Sequence, residues 1–112
     1  MKIYVDIDDT ICRYDSKEPS GVSRNYNNAI PVPSKIKTIN RLFDSGHEIH
    51  YWTARGTMSG IDWLETTKKQ LEDWGCKMTS VNTGKPAYDI LIEDKAWTSV
   101  EQIESMLRME SL

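Results

Sequence analysis

The chain opens with MKIYVDIDDTICRYD at residues 1–15, and this stretch decides both the expected fold and the expected chemistry. Residues 2–7 form a short apolar, β-branched run with little polar alternation, which is typical of a strand buried on both faces. Asp6, Asp8 and Asp9 stand where that run ends. Two like charges at about 4 Å repel by roughly 4 kcal/mol with an effective dielectric near 20. Such crowding becomes tolerable when a divalent cation neutralises the acids.

The composition predicts one small globular domain over residues 1–112. With 38% hydrophobic residues the chain can build one core, and a net charge of −3 without a Lys/Arg stripe gives no reason to expect non-specific binding to nucleic acid or membranes. The N-terminal apolar stretch is too short and too acidic for a signal peptide. No apolar run approaches the length of a membrane-spanning helix, so we expect a cytoplasmic protein.

Predicted strands and helices alternate along the rest of the chain. We predict strands at 2–7, 47–53, 77–82 and 88–94, and helices at 33–45, from a capping box at Ser59–Asp62 to Gly75, and from a second capping box at Thr98–Glu101 onward. This order favours right-handed crossovers and a mainly parallel sheet. The expected class is therefore α/β, a three-layer Rossmann-like fold.

Residues 11–31 show neither helical nor strand periodicity and contain Pro19, Gly21 and Pro31. A loop of this length in a compact domain is usually a lid, a binding segment or disordered. We interpret it as a mobile flap (residues 11–31). Four of its side chains are candidates for touching a substrate: Arg13, Tyr14, Arg24 and Tyr26.

Polar side chains stand close to the carboxyl end of nearly every predicted strand, where open α/β sheets bind their ligands. They are Asp6 and Asp8 after the first strand, Thr53 after the second, Lys85 before the last, and Glu93 and Asp94 at its end. Magnesium prefers such oxygen ligands, and a carboxylate can attack phosphorus to form an aspartyl phosphate. A lysine and a hydroxyl would stabilise the transferred phosphoryl group.

Each group also has a structural interpretation when it is taken alone. Asp residues at strand ends often only start turns, a lone Thr53 is more often structural, and a lone Lys85 is most often a solvated charge. Glu93 and Asp94 could begin a turn toward the last helix. The joint placement of all these groups at strand ends, in order, favours a phosphoryl-transfer site.

The motifs also resemble those of one family. DIDDT resembles the DxDxT signature of the haloacid dehalogenase superfamily, whose members are mostly magnesium-dependent phosphatases. YWTARG resembles the second motif of that family, GKP the third and ILIED the fourth, in the family's order over residues 3 to about 96. Two departures are Asp9, where many relatives have glycine, and Glu93-Asp94, where many have two aspartates.

The resemblance implies a role for each matching residue. Asp6 matches the nucleophile and metal ligand, Asp8 the general acid whose backbone carbonyl also contacts the metal, Thr53 the phosphate-binding hydroxyl, Lys85 the lysine that holds nucleophile and phosphate, and Glu93 and Asp94 the remaining metal acids. Between the last two, Asp94 is favoured as the direct ligand. Ala54 and Arg55, which follow Thr53, are further candidates for binding substrate.

Both gaps between motifs are too short for a cap domain, so the resemblance implies a capless enzyme whose open site a second copy of the chain could cover. The expected function is Mg²⁺-dependent hydrolysis of a small phosphomonoester, a sugar phosphate or a nucleotide, through an aspartyl phosphate. A weaker likeness to phosphatase-like proteins of surface-polysaccharide synthesis and phage hints at sugar phosphates. Two alternatives stay open: a phosphotransferase with the same chemistry, and a non-catalytic α/β module that binds a metal or a partner.

Overall fold

The computed structural model describes residues 1–96 and 100–110 of the chain. Within these ranges the regular elements are β1 (Lys2–Val5), β2 (Cys12–Arg13), β3 (Ile30–Pro31), α1 (Pro33–Asp44), β4 (Glu48–Trp52), α2 (Leu64–Asp73), β5 (Ser80–Asn82) and α3 (Val100–Glu110). No helix in the described ranges is both long enough and apolar enough to cross a bilayer.

The central sheet has the order β1-β4-β5, and both of its strand pairs are parallel. Val5 lies opposite Tyr51, and His50 lies opposite Ser80. Val5, Ile49 and Tyr51 are buried in the core. The prediction of an α/β fold around a parallel sheet is therefore confirmed, with its first three strands at the expected places and somewhat shorter than expected.

Helix α1 packs on β4 of the sheet, with the buried face that its apolar spacing predicts. In α1, Pro33 stands in the first turn, Ile39 and Leu42 are buried, and Gly46 with φ of 98° follows the end of the helix. α3 packs on α1, where Thr38 Oγ1 donates to Glu104 Oε1 at 2.7 Å. The predicted capping box at Thr98 lies largely outside the described residues.

The predicted start of α2 is wrong by several residues. The helix begins at Leu64, whose backbone N–H donates to Asp62 Oδ1 at 3.0 Å, and Ser59 accepts instead from the N–H of Ile61 at 3.2 Å. Both side chains bond the backbone two residues on, which is the usual competing conformation for Ser and Asp. Residues 60–63 are therefore irregular chain between a turn at 55–59 and the helix, and do not form the first turn of the helix.

The predicted strand at 88–94 is also wrong. Residues 83–96 contain no regular secondary structure, and Ile90, Leu91 and Ile92 are 80%, 56% and 94% exposed. Among the described strands β1 is at the edge of the sheet, and it pairs with β4 alone. Strand propensity depends on a neighbouring strand and a buried face, and residues 88–94 have neither in this structure.

The flap contains more structure than its sequence predicts. β2 and β3 pair antiparallel at its two ends, with Cys12 opposite Pro31, and two short 3₁₀ turns cover Gly21–Ser23 and Tyr26–Asn28. The backbone N–H of Val32 also donates to the carbonyl of Ile11 at 2.9 Å. The two ends of the flap are therefore joined by backbone hydrogen bonds.

Candidate functional site

A cavity of about 330 Å³ lies where β1 and β4 end. It is bordered by side chains from both strand ends, from the flap and from the segment after β5. Six of the eight residues predicted for the site border this cavity: Asp6, Asp8, Thr53, Ala54, Arg55 and Lys85. The parallel sheet thus brings together groups that are up to 79 positions apart in the chain, as the strand-end rule predicts.

Asp6 and Lys85 lie side by side at this cavity. Lys85 Nζ lies 3.5 Å from Asp6 Oδ1, and the two side chains are 15% and 39% exposed. Burial raises the pKa of Asp6 above its ordinary value, and the positive charge of Lys85 only partly opposes that rise. The Lys85 ammonium also lies 5.5 Å from the Tyr88 ring and 6.0 Å from the Trp52 ring. Its backbone N–H donates to the carbonyl of Thr53 at 3.1 Å, which fixes this segment beside β4.

Asp8 is held by protein donors on both carboxylate oxygens. Arg55 donates from Nε to Oδ2 at 3.1 Å and from Nη2 to Oδ1 at 2.9 Å. The Tyr14 hydroxyl and, at 3.6 Å, the Cys12 thiol also bond Oδ1. Burial is the main reason why the pKa values of Tyr14 and Cys12 are raised, that of Cys12 to about 12, and the charge of Asp8 adds to both shifts. Both groups therefore remain neutral donors to the Asp8 carboxylate at neutral pH.

Arg55 is only 2% exposed, and all three of its guanidinium nitrogens are bonded. Besides Asp8 it bonds α2, where Nη1 donates to Thr67 Oγ1 at 3.1 Å and to Gln70 Oε1 at 2.6 Å. A buried guanidinium requires a paired anion and satisfied donors, and Asp8, Thr67 and Gln70 supply them. Sequence reasoning predicts a substrate contact for Arg55; the structure instead engages its side chain with the protein.

Thr53 is buried at the end of β4, where its Oγ1 accepts from the backbone N–H of Arg55 at 3.1 Å. The hydroxyl retains its own proton as a donor. The turn that follows depends on Gly56, which has φ of 85° and where an added Cβ would come within 2.1 Å of the Ile61 carbonyl oxygen. Only glycine fits this close approach, so the TARG stretch is constrained by its backbone as well as by its side chains.

The flap supplies a second wall of the cavity through Arg24 and Tyr26. Arg24 Nη1 lies 3.0 Å from Asp9 Oδ2, and its guanidinium carbon lies 4.2 Å from the centre of the Tyr14 ring. Gln70 Nε2 donates to the carbonyl of Tyr26 at 2.7 Å, which attaches the flap to α2. Asp9 itself has φ of 63°, the left-handed conformation that glycine adopts most readily. Of the flap candidates, Arg13 is exposed and Tyr14 contacts Asp8.

Glu93 and Asp94, predicted as metal ligands, are not brought to the cavity. Both are exposed in the irregular segment between β5 and α3 and do not border the cavity. In the parts of the chain that the structure describes, no group of three or more His, Cys, Asp or Glu residues is placed to hold a metal ion. The predicted acids stay apart because the strand expected to carry the last two is absent.

Sequence reasoning missed Thr67, Gln70 and Tyr88. Thr67 and Gln70 hold Arg55, and Tyr88 borders the cavity beside Lys85. One signal for the helical pair was present, because Thr67 and Gln70 stand three residues apart beside the buried Leu71. Polar side chains at the buried face of an amphipathic helix require partners, and such a pair indicates a buried polar or charged group opposite.

No family model and no curated protein matches the chain. A crystal structure of an MCSG target from Vibrio cholerae has a similar fold, with a TM-score of 0.71 and 22% sequence identity. The alignment covers 97% of this chain and 98% of that one. The comparison supports the α/β fold along nearly the whole chain.

Proposed function

We propose that the chain hydrolyses a phosphomonoester, with Asp6 as the nucleophile, as its resemblance to the haloacid dehalogenase superfamily implies. The observation that carries this proposal is the meeting of Asp6 and Lys85 in one cavity, 3.5 Å apart, at the carboxyl ends of β1 and β4. A carboxylate nucleophile beside a lysine suits a phosphoryl group, because the lysine attracts the phosphate and stabilises its negative charge during transfer.

In the proposed reaction a carboxylate oxygen of Asp6 attacks phosphorus, and the bond between phosphorus and the oxygen of the leaving group breaks. Water then attacks the phosphorus of the aspartyl phosphate, which releases inorganic phosphate and restores the Asp6 carboxylate. In both steps a negatively charged oxygen approaches the phosphate, and the Lys85 ammonium beside Asp6 can offset that charge. The Thr53 hydroxyl, at the end of β4, can donate its proton to a phosphate oxygen.

The leaving group needs a proton, and the resemblance gives that role to Asp8. Both Asp8 oxygens are engaged in this structure by Arg55 and Tyr14. Arg55 is fixed to α2, whereas Tyr14 belongs to the flap. In this proposal the flap moves and Tyr14 gives up its hydrogen bond, after which the freed Asp8 oxygen takes a proton from solvent and passes it to the leaving oxygen. Asp8 then accepts a proton from the water that attacks the aspartyl phosphate, so a movement of the flap would accompany turnover.

Magnesium is the proposed cofactor on the resemblance alone. The residues around the cavity do not form a complete site for it, since Asp6 offers an accessible carboxylate while Asp8 is bonded on both oxygens and Glu93 and Asp94 lie elsewhere. Magnesium is commonly held by one or two carboxylates together with water and a substrate phosphate. It would neutralise charge on the phosphoryl oxygens, but no step above depends on it.

The test is release of phosphate from a panel of sugar phosphates and nucleotides, with Mg²⁺ or with EDTA. We expect metal-dependent turnover by the wild type, a loss of about a thousandfold or more in Asp6→Asn, and no change in Asp89→Asn, an exposed carboxylate after Lys85 that serves as the control. Full activity in Asp6→Asn would remove Asp6 as the nucleophile. Absence of turnover on every substrate would refute the proposal that the protein is a phosphatase.

The second candidate is a non-catalytic α/β module that binds a metal or a partner at this cavity, where Lys85 would attract a phosphorylated or other anionic partner. The observation that favours it is the engagement of both Asp8 oxygens, because a purely binding domain does not need Asp8 for proton transfer. The same assay separates the two candidates, since the module would bind phosphate without releasing it from any ester.

A further inference from the structure

We propose that the preferred phosphomonoester carries a second anionic group, a carboxylate or another phosphate, and that Arg24 is the residue that recognises it. This inference rests on the proposed function, because it places the reacting phosphate at Asp6 and Lys85 in the same cavity. It assigns to the flap the choice of substrate, which the catalytic residues alone do not make.

Arg24 is held in a fixed orientation at the cavity. Asp9 binds one end of its guanidinium at 3.0 Å, and the Tyr14 ring supports its face at 4.2 Å. The side chain is only 18% exposed although it belongs to a surface flap. A cation that is immobilised before a ligand arrives loses little conformational freedom on binding, so this arrangement favours recognition.

One donor of Arg24 has no acceptor. Its Nε–H is buried and makes no hydrogen bond to any described residue. Buried N–H groups are almost always bonded, and the exceptions often mark a place that a ligand or ion fills. Because Arg24 borders the cavity, a molecule bound there lies beside a guanidinium whose hydrogen-bonding capacity is not fully used.

The balance of charge leads to the same residue. Among the described residues, three cationic side chains border the cavity: Arg55 is paired with Asp8, Lys85 with Asp6, and Arg24 with Asp9. The Asp9 side chain is 65% exposed, so water weakens its pairing with Arg24. Arg24 therefore has the least neutralised charge of the three and is available to a carboxylate or a phosphate group, either of which a guanidinium can bind through two parallel hydrogen bonds.

The test compares 3-phosphoglycerate with glycerol 3-phosphate, which differ only in a carboxylate replacing a hydroxymethyl group at the far carbon. We expect the wild type to favour phosphoglycerate in kcat/KM by about tenfold or more, the scale of one hydrogen bond to a charged group. A second comparison uses fructose 1,6-bisphosphate and fructose 6-phosphate. It shows whether a second phosphate is preferred in the same way as a carboxylate.

The variants assign the preference to Arg24. In Arg24→Gln, kcat/KM for 3-phosphoglycerate should be nearly equal to kcat/KM for glycerol 3-phosphate. Arg24→Lys should keep part of the preference for 3-phosphoglycerate, because the positive charge remains. Lys17→Gln removes a positive charge from an exposed part of the same flap that does not border the cavity, and should keep the wild-type ratio. An unchanged ratio in Arg24→Gln, or an equal fall in both substrates, would overturn the inference, and thermal melts identify any variant that fails to fold.

Failure of this inference and failure of the proposed function give different results. Hydrolysis of both substrates without a preference overturns the role of Arg24 and leaves the phosphatase standing. If neither substrate is hydrolysed, titration calorimetry with the same pair measures binding alone. Tighter binding of phosphoglycerate that Arg24→Gln abolishes would support Arg24, and equal binding of the pair or none would overturn it.

Discussion

At the scale of single residues, Asp6 carries an energetic cost that its neighbours only partly remove. Burial raises its pKa, and Lys85 at 3.5 Å opposes this incompletely. A raised pKa means that the folded state holds the proton more tightly than the unfolded state. Asp6 therefore contributes most favourably to stability below its ordinary pKa, and that contribution is lost as the pH rises through the folded value.

We predict that Asp6→Asn increases the free energy of unfolding at neutral pH, because it removes a buried charge. The gain should be only about 0.5 kcal/mol, since the carboxylate is 39% exposed, is screened by water and loses its pairing with Lys85. Denaturant unfolding of wild type and variant measures it. The difference should disappear near pH 3.5, where wild-type Asp6 is protonated as well.

Asp89→Asn, on an exposed carboxylate, serves as the control and should show no such dependence on pH. A neutral-pH Asp6→Asn protein that is less stable than the wild type would mean that the Lys85 pair outweighs the cost of burial. In that case the buried charge of Asp6 would not destabilise the folded protein.

The positions of Asp6, Thr53 and Lys85 were predictable, whereas the role of Arg55 was not. Strand ends are visible in the sequence, and a parallel sheet brings them to one edge. The partner of Arg55 is 47 residues away, and its other contacts come from the packing of α2 against that edge. A sequence shows that a charge exists but does not show which group will neutralise it.

At the scale of elements, the segment at 88–94 shows where the pattern fails. Its run of Ile, Leu and Ile has the composition of a buried strand, yet these side chains are exposed and the sheet ends at β1. The elements that were predicted well, α1 and β4, have both a periodic pattern and a neighbour that buries it. A pattern specifies a surface that can be buried, and the tertiary structure decides whether it is.

The same substitution at two isoleucines tests this difference. Ile92→Ala should change the free energy of unfolding by less than about 0.5 kcal/mol, because Ile92 is 94% exposed. Ile49→Ala should cost about 2–5 kcal/mol, because Ile49 in β4 is fully buried. Urea unfolding of both variants gives the comparison. A cost above roughly 1.5 kcal/mol at Ile92 would place that side chain in a packed core.

At the scale of the whole molecule, the described chain combines a packed core with an irregular segment, residues 83–96, most of whose side chains are exposed. Residues 83–96, which follow β5, have no regular structure. Helix α3 packs on α1, where Thr38 bonds Glu104, and its Leu107 is buried. The α/β class was predictable because strands and helices alternate along the chain. The extent of the sheet was not, since it depends on whether one connecting segment pairs with its edge.

Limited proteolysis should therefore cut the folded protein first within this segment. Chymotrypsin is expected to cleave after Tyr88 or Leu91, which are 48% and 56% exposed, long before the buried Leu42 and Leu71. Mass spectrometry of early time points identifies the sites, and urea-unfolded protein provides the reference in which all four are cut. First cleavage within residues 1–82 would contradict this picture of the molecule.

The pairing of Asp8 with Arg55 affects how mutagenesis of this protein is interpreted. Shortening Asp8 to alanine would leave a guanidinium in the interior without its counterion, which typically costs about 3–5 kcal/mol. That is a large part of the whole stability of a domain of this size. Loss of activity in Asp8→Ala could thus result from unfolding as well as from the loss of a proton donor. Replacing Asp8 and Arg55 together by apolar residues removes the proton donor without leaving an unpaired buried charge, so this double variant distinguishes the two causes.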